Sequence, residues 1–166
     1  MEKESMSNIQ KLTISGMVIA LYIVILFFTQ NFSFGAYQIR IATSLYALSY
    51  LFPFLVFPLG LANLISNMLF GGLGPLDMIG GCLVGIITAS LIVLIRKKGW
   101  NLSLIFLPIV FIPGLCVPIW LSYLLEIPYQ ALAVSLCIGQ IIPAICGPII
   151  VQVLQKVWKA QGGVLV

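Results

Sequence analysis

The charged residues of this 166-residue chain are widely separated, and long apolar stretches without charge lie between them. Five stretches are long enough to cross a hydrocarbon core about 30 Å thick, because a helix rises about 1.5 Å per residue. They cover residues 12–39, 41–76, 78–95, 99–125 and 127–155. The pattern therefore predicts a chain made mainly of membrane-spanning helices.

The stretch 41–76 is too long for one ordinary crossing and contains two prolines. A helix would kink or end near Pro53 or Pro58, and Gly60 follows closely. We therefore expect two short crossings here, at about 42–57 and 59–70.

The basic residues indicate the number of crossings through the positive-inside rule. Lys3, Lys11 and the run Arg96–Lys98 are all expected in the cytoplasm, so an even number of crossings must separate the two groups. Dividing the stretch 41–76 satisfies this condition, and leaving it whole does not. The sequence thus predicts an all-α integral membrane protein with six transmembrane helices and both termini cytoplasmic. The helices of this single transmembrane domain (1–166) are predicted at about 12–30, 42–57, 59–70, 77–95, 102–125 and 129–155.

Composition supports a membrane protein and argues against several functions. Apolar residues make up 61% of the chain and charged residues 7%, with a mean hydropathy of +1.18, whereas soluble domains carry roughly a quarter charged residues. Histidine is absent and the four cysteines lack metal-ligand spacing, so neither a metal nor a cofactor is predicted. The net charge of +4 is small and scattered, which argues against nucleic-acid binding. We expect a multi-pass protein of the plasma membrane.

Enzymatic activity is not expected, because the chain offers few groups for catalysis. Without histidine, the acids Asp77 and Glu126 remain, and they fall in different connections of the predicted topology. The glycine-rich segment 71–75 lacks the Gly-Lys-Ser/Thr ending of a phosphate-binding loop. Any ATP-driven work must therefore come from partner subunits.

The predicted topology places Arg40, Asp77 and Glu126 at the external ends of helices. Asn63 and Asn67 are four residues apart and share one helix face, and an amide within a bilayer should face a partner or a cavity. These features predict a polar binding pocket that opens outward, although each charge taken alone also fits a solvated loop. The other polar residues near these charges are Gln38, Thr43, Ser44, Ser66, Tyr123 and Tyr129.

The first helix carries two small residues, Gly16 and Ala20, at the spacing that lets another helix approach closely. From spacing alone, packing within the chain is the somewhat better interpretation, and docking of another subunit is the alternative.

The run 34–41 (Phe-Gly-Ala-Tyr-Gln-Ile-Arg-Ile) resembles the QueT family, the substrate-binding S components of energy-coupling factor (ECF) transporters. The likeness extends along most of the chain. Its further elements are Gly16 and Ala20 followed by Leu21-Tyr22, then Leu59-Gly60-x-x-Asn63, then Gly74-Pro75-Leu76-Asp77 with Gly80 and Gly81, and a sixth helix centred on Gly139.

The resemblance implies a six-helix S component that captures a queuosine precursor, which is a 7-deazaguanine base such as the aminomethyl form, or queuine. It also implies that Gly16 and Ala20 contact a transmembrane coupling subunit, which two cytoplasmic ATPases drive. Two positions depart from the family pattern, because Thr43 and Gln140 stand where the family commonly has Glu. These departures leave queuine, the nucleoside or another flat vitamin-like ligand open.

The residues suit a flat heteroaromatic ligand. An arginine or amide can serve a ring carbonyl, and a carboxylate or amide oxygen can accept from ring N–H and amino donors. Tyr37, Tyr129 or Trp120 can stack on the ring. The predicted ligand-binding residues are Tyr37, Gln38, Arg40, Thr43, Asn63, Asn67, Asp77, Glu126, Tyr129 and Gln140.

Two other functions compete with this prediction. A self-sufficient secondary transporter or channel usually places ionisable residues at mid-membrane, whereas the charges here lie near the ends of spans. A structural membrane protein without a ligand would not require the external polar cluster.

Overall fold

The computed structural model of the chain describes residues 6–33, 38–71 and 73–160. These residues form helices and connecting turns, without a strand. Three 3-10 helices (Ile41–Tyr50, Pro53–Leu55 and Leu102–Ile105) and one π-helical turn (Asn67–Gly71) lie between the α-helices. The α-helices of the described residues are α1 (Asn8–Ser33), α2 (Val56–Ser66), α3 (Pro75–Lys97), α4 (Phe106–Leu125), α5 (Tyr129–Gly139) and α6 (Ile141–Ala160).

Five helical segments of the described chain are long and apolar enough to cross a membrane. They are Asn8–Ser33, Pro53–Gly71, Pro75–Lys97, Leu102–Leu125 and Tyr129–Ala160. The helix predicted at 42–57 is represented by the 3-10 helix Ile41–Tyr50, which at about 2.0 Å per residue is about 20 Å long. The all-α prediction is therefore confirmed, whereas the segment expected as the second crossing forms a helix shorter than the hydrocarbon core.

The break between the two short helices lies at Leu51 and Phe52, earlier than the predicted break at Pro58. The amides of both residues donate to the carbonyl of Leu48, which ends the 3-10 helix. Pro53 then begins the next helical segment, where its missing N–H is not needed. Pro58 lies in the first turn of α2 and does not end it.

The span predicted at 129–155 is interrupted at Gln140, which separates α5 from α6. Pro143 lies three residues further on and cannot donate to the carbonyl of Gly139, four residues before it, and its ring crowds that oxygen. The helix therefore ends at Gly139 and starts again at Ile141, which leaves Gln140 at the break.

The 3-10 helix Ile41–Tyr50 lies in the centre of the bundle. Every residue from Ala42 to Ser49 is buried, and the helix packs against α1, α3 and α6. Leu26, Leu55 and Ile92 fill the space around it without exposure. The middle of the protein is therefore formed by a segment that carries polar side chains but no charge.

Apart from Arg40, the described cations lie at the opposite end of the bundle from the described acids Asp77 and Glu126. Arg96 donates from Nη1 to the Leu51 carbonyl oxygen (3.0 Å), and Lys11 lines a cavity with these two residues. The first turns of α1 and Trp158 of α6 line a second cavity, so the described chain begins and ends at this end. We call it the basic end, and it carries Lys11, Arg96, Lys97, Lys98, Lys156 and Lys159. The other end, with Arg40, Asn67 and Asp77, is called the site end.

Helices α2 and α3 pack closely because glycines line their contact. A Cβ at Gly85 would lie 3.2 Å from the Cα of Gly60 and 3.1 Å from the Tyr46 hydroxyl. Neither the backbone nor the buried ring can move away easily, so glycine at position 85 fixes the distance between the helices.

We expect Gly85→Val to destabilise the protein by about 1–3 kcal/mol, the usual cost of overpacking a well-packed contact. The matched control is Gly16→Val, because a Cβ at Gly16 meets nothing within 4 Å. Thermal unfolding of both variants in detergent measures the difference. Equal melting temperatures for the two variants would show that the α2–α3 contact does not need glycine.

Candidate functional site

Arg40 immediately precedes the central 3-10 helix and points its guanidinium towards the end of α2. The side chain is 8% exposed, and its Nη2 donates to Oδ1 of Asn67 at 2.6 Å. A hydrogen bond from a charged donor is stronger than a neutral one, particularly away from water. The cation is thus held between helices and is not a solvated loop charge.

Asn67 connects this cation to the beginning of α3. Its side-chain amide donates from Nδ2 to the backbone oxygen of Asp77 at 3.0 Å, while its Oδ1 accepts from Arg40. Asn67 is also the first residue of the π-helical turn Asn67–Gly71 that follows α2. Such local widening of a helix re-aims side chains and occurs frequently at functional sites.

Asp77 lies in the first turn of α3, where the helix dipole favours a negative charge. It is 6% exposed, and its Oδ1 accepts from Nε1 of Trp120 at 3.0 Å. Gly80 makes room for the indole, because a Cβ there would lie 2.9 Å from the ring. The carboxylate therefore has a defined donor and a ring beside it.

Thr43 and Gln140 form a second contact beside Arg40. The Thr43 hydroxyl lies 2.7 Å from the Arg40 carbonyl oxygen and 2.7 Å from Oε1 of Gln140. Because the hydroxyl has one proton, both contacts are satisfied together when the Gln140 amide presents its NH₂ to the hydroxyl oxygen. The break between α5 and α6 places this buried amide here.

Asn63 extends the polar cluster towards α1. Its Nδ2 donates to the Tyr46 hydroxyl at 2.7 Å, and the hydroxyls of Tyr46 and Tyr22 lie 3.4 Å apart. Asn63 and Asn67 both contact Gly81, since a Cβ there would lie 2.9 Å and 2.5 Å from their amides. The predicted shared face of the two asparagines is therefore present, and it meets α3.

The structure thus brings together six of the residues that the sequence indicated: Arg40, Thr43, Asn63, Asn67, Asp77 and Gln140. Each is buried, with an exposed fraction of 8% or less. Together they present guanidinium and amide donors next to carboxylate and amide acceptors. This set can recognise a planar polar edge, and it contains no nucleophile paired with a base.

Two predicted residues lie apart from this cluster. Glu126 is exposed at the left-handed turn that ends α4 (φ 55°), and Tyr129 begins α5. The Tyr129 ring is 40% exposed and its hydroxyl donates to the Leu115 carbonyl oxygen at 3.0 Å. Glu126 and Tyr129 therefore lie at the two sides of the turn between α4 and α5.

The remaining predicted residues lie at the connection before the central helix. Gln38 is half-buried and adopts a positive φ of 41°. Tyr37 lies outside the described residues. Ser33 and Ile39 bring the two described sides of this connection together, since the Ser33 hydroxyl donates to the Ile39 carbonyl at 3.4 Å.

Three residues of the network were not recognised from the sequence in these roles. Tyr46 was not singled out, Tyr22 was noted only as part of the family resemblance, and Trp120 was predicted to stack on the ring and not to donate to Asp77. Tyr46 follows Thr43 by three residues, which is the period of a 3-10 helix, so a three-residue polar repeat was the available signal. Within the described residues, no group of three His, Cys, Asp or Glu side chains forms a metal site.

We expect Asn67→Leu to destabilise the protein by about 1.5–3 kcal/mol, because the buried guanidinium loses a hydrogen-bond acceptor. Glu126→Gln is the control at the same end, and exposed substitutions usually change stability by less than about 0.5 kcal/mol. Thermal unfolding of the purified variants measures both effects. A similar small change in both would mean that the Arg40–Asn67 bond does not contribute to stability.

Comparison with known proteins places the chain in a family. A model of the QueT transporter family matches residues 12–156, which confirms the resemblance seen in the sequence. No curated protein and no solved structure matches the chain. The family and the five apolar helices identify a multi-pass plasma-membrane protein with a role in transport and not in catalysis. The chain belongs to the QueT transporter family, whose role is the transport of a queuosine-related substrate.

Proposed function

We propose that this chain is the substrate-binding S component of an ATP-driven ECF importer and captures a queuosine precursor from outside the cell. The ligand is a 7-deazaguanine base, such as the aminomethyl form, or queuine. A transmembrane coupling subunit and two cytoplasmic ATPases supply the energy. The observation that carries this proposal is the buried network of Arg40, Asn67 and Asp77 in a chain of this family.

The distribution of charge supports the proposed orientation. Lysines and arginines prefer the cytoplasmic ends of membrane helices, and the basic end carries six of them among the described residues. With that end in the cytoplasm, the site end faces outside, where an importer meets its substrate.

The site end offers partners for each polar group on the edge of a deazaguanine. The guanidinium of Arg40 suits the ring carbonyl, while the Asp77 carboxylate and the Asn67 amide oxygen suit the ring N–H and the amino group. The half-buried indole of Trp120 is held beside Asp77 and can stack on the ring. Thr43 and Gln140 provide further hydrogen bonds next to Arg40. Asn63 lies beside this set through its bond to Tyr46, and Tyr37 and Gln38 precede Arg40 closely in the sequence.

The free protein keeps these groups bonded to one another. A ligand that enters between Arg40 and Asn67 must replace the hydrogen bond that joins them at 2.6 Å. A ring with an acceptor beside two donors makes this exchange without leaving a buried group unpaired. This requirement favours a base over a purely apolar vitamin.

Helix α1 supports the proposed contact with a coupling subunit. Gly16 and Ala20 are exposed, and a Cβ at Gly16 meets nothing within 4 Å. Packing within the described chain therefore does not account for these small residues. Their spacing allows a helix of another subunit to approach closely.

The first expected result concerns the carboxylate at the site. Replacing Asp77 with Asn leaves the size of the side chain unchanged and removes the charge that accepts from the ligand's donors. We expect affinity for 7-aminomethyl-7-deazaguanine and queuine to fall by at least about 2 kcal/mol, which is about 30-fold. Isothermal titration calorimetry with each base measures this change.

The matched control is Glu126→Gln, which neutralises the exposed carboxylate of the next connection at the same end. It should leave the affinity unchanged. Native mass spectrometry of the wild-type protein identifies a ligand that copurifies. Equal affinities in both variants would remove Asp77 from the binding site, and a failure of wild type to bind either base would contradict the proposed substrate.

The second expected result concerns docking through α1. Gly16→Leu should reduce cellular uptake to the level of cells without this chain, because the larger side chain blocks close helix approach, while binding by the purified protein is retained. Gly16→Ala keeps the residue small and should preserve uptake. Uptake by wild type in cells that lack the coupling subunit and the ATPases would show a self-sufficient transporter.

A further inference from the structure

The basic end contains a cavity that the proposed substrate path does not use. It has a volume of about 580 Å³ and lies between the first turn of α1, the bend at Leu51–Pro53 and the last turns of α3. Three cationic residues, Lys11, Arg96 and Lys97, line it.

The arginine at this cavity is held in place. Its Nη1 donates to the Leu51 carbonyl oxygen at 3.0 Å, which orients the guanidinium at the bend after the central helix. A guanidinium has further N–H donors in a planar fork that matches a phosphate group. Lys98, the next cation along, lies over the Trp100 ring at 4.9 Å instead of lining the cavity.

Nothing in the described chain neutralises this group of cations. The described acids are Asp77 and Glu126, and both belong to the opposite end of the bundle. Asp77 and Lys97 stand twenty residues apart on the same helix, which corresponds to about 30 Å. Asp77 is therefore about a full hydrocarbon thickness away from the cavity.

The residues around the cavity indicate that it lies at the level of lipid headgroups. Trp100 and Trp158 mark the same end of the bundle, and tryptophan concentrates at membrane–water interfaces. The Trp158 ring packs edge-on against Phe52, a residue that lines the cavity, with ring centroids 6.2 Å apart.

The other residues that line the cavity are apolar. They include Phe52, Phe54 and Val93. A soluble anion would gain nothing from this surface, whereas a molecule with a phosphate joined to acyl chains uses both the cations and the apolar wall. The combination distinguishes a lipid from a free phosphate.

We propose that this cavity binds an anionic phospholipid of the adjacent leaflet, with its phosphate between Lys11, Arg96 and Lys97 and its acyl chains against Phe52 and Phe54. Basic pockets of this kind at helix ends recognise anionic headgroups. The lipid fills the gap between α1 and α3 and links the two helices at the basic end. The proposal does not depend on which substrate the site end binds.

The test uses the purified full-length protein in detergent, titrated with phosphatidylglycerol and followed by native mass spectrometry. Phosphatidylcholine is the zwitterionic comparison, and glycerol 1-phosphate is the soluble headgroup without acyl chains. We expect phosphatidylglycerol to be retained in preference to both.

The decisive variant is Lys11→Gln with Lys97→Gln, which leaves the Arg96–Leu51 hydrogen bond intact. Its affinity for phosphatidylglycerol should fall about 25-fold, at about fivefold for each cation near an anionic headgroup. The control is Lys156→Gln with Lys159→Gln, which removes the same charge from exposed positions of α6 at the same end. Equal losses in the two double variants would mean diffuse attraction and would overturn the site. Retention of glycerol 1-phosphate as tight as that of the lipid would reassign the cavity to a soluble anion.

Discussion

The hydrogen bond between Arg40 and Asn67 is the contact on which the site end depends. A guanidinium taken out of water loses its hydration, so polar groups of the protein must replace it. Asn67 meets this need at the point where α2 widens into the π-helical turn. Its Oδ1 accepts from Arg40, and its Nδ2 donates to the backbone oxygen of Asp77. The starts of α3 and of the central helix are thus fixed relative to each other by one amide.

The side-chain amides of Asn63 and Asn67 fit between α2 and α3 because α3 presents a glycine to them and not a larger residue. Gly81 lies against Asn63 and Asn67, and Gly85 lies against the Tyr46 hydroxyl. Polar contacts therefore continue from the site end to α1, where Tyr22 meets Tyr46. The inner face of α1 belongs to this network, while Gly16 and Ala20 on the same helix remain exposed. One helix thus contacts both the buried polar groups and the surroundings of the bundle.

Charge and polarity along the sequence predicted much of the helical arrangement and of the site. The reason is that a charge inside a membrane is costly, so charged residues are placed at helix ends or against polar partners. The same reasoning brought Arg40, Asn67 and Asp77 into one set, whereas Gln140 was added by the resemblance to the family. It could not separate Pro53 from Pro58, because both prolines can start or end a helix and the choice depends on packing around Leu51 and Phe52.

Residues at the edges of the site were harder to predict for a related reason. Glu126 is as polar as Asp77, but it caps α4 in a left-handed turn at the surface, whereas Asp77 lies buried in the first turn of α3 beside a tryptophan donor. That difference arises from the contact between α3 and α4, and no local pattern encodes it. Likewise Tyr46 became a hydrogen-bond partner only because Gly85 leaves room for its hydroxyl.

The hydrogen bonds already present within the network also determine how a ligand can be selected in the proposed site. Replacing one protein–protein hydrogen bond with one protein–ligand bond changes the free energy little, since both states are paired. Affinity must then come from ring stacking and from apolar surface removed from water. In the proposed site discrimination has a different origin, because a ring that lacks one donor or acceptor does not replace the hydrogen bond between Arg40 and Asn67 that it displaces. A site of this kind can reject near-analogues strongly while binding the correct ring with few contacts.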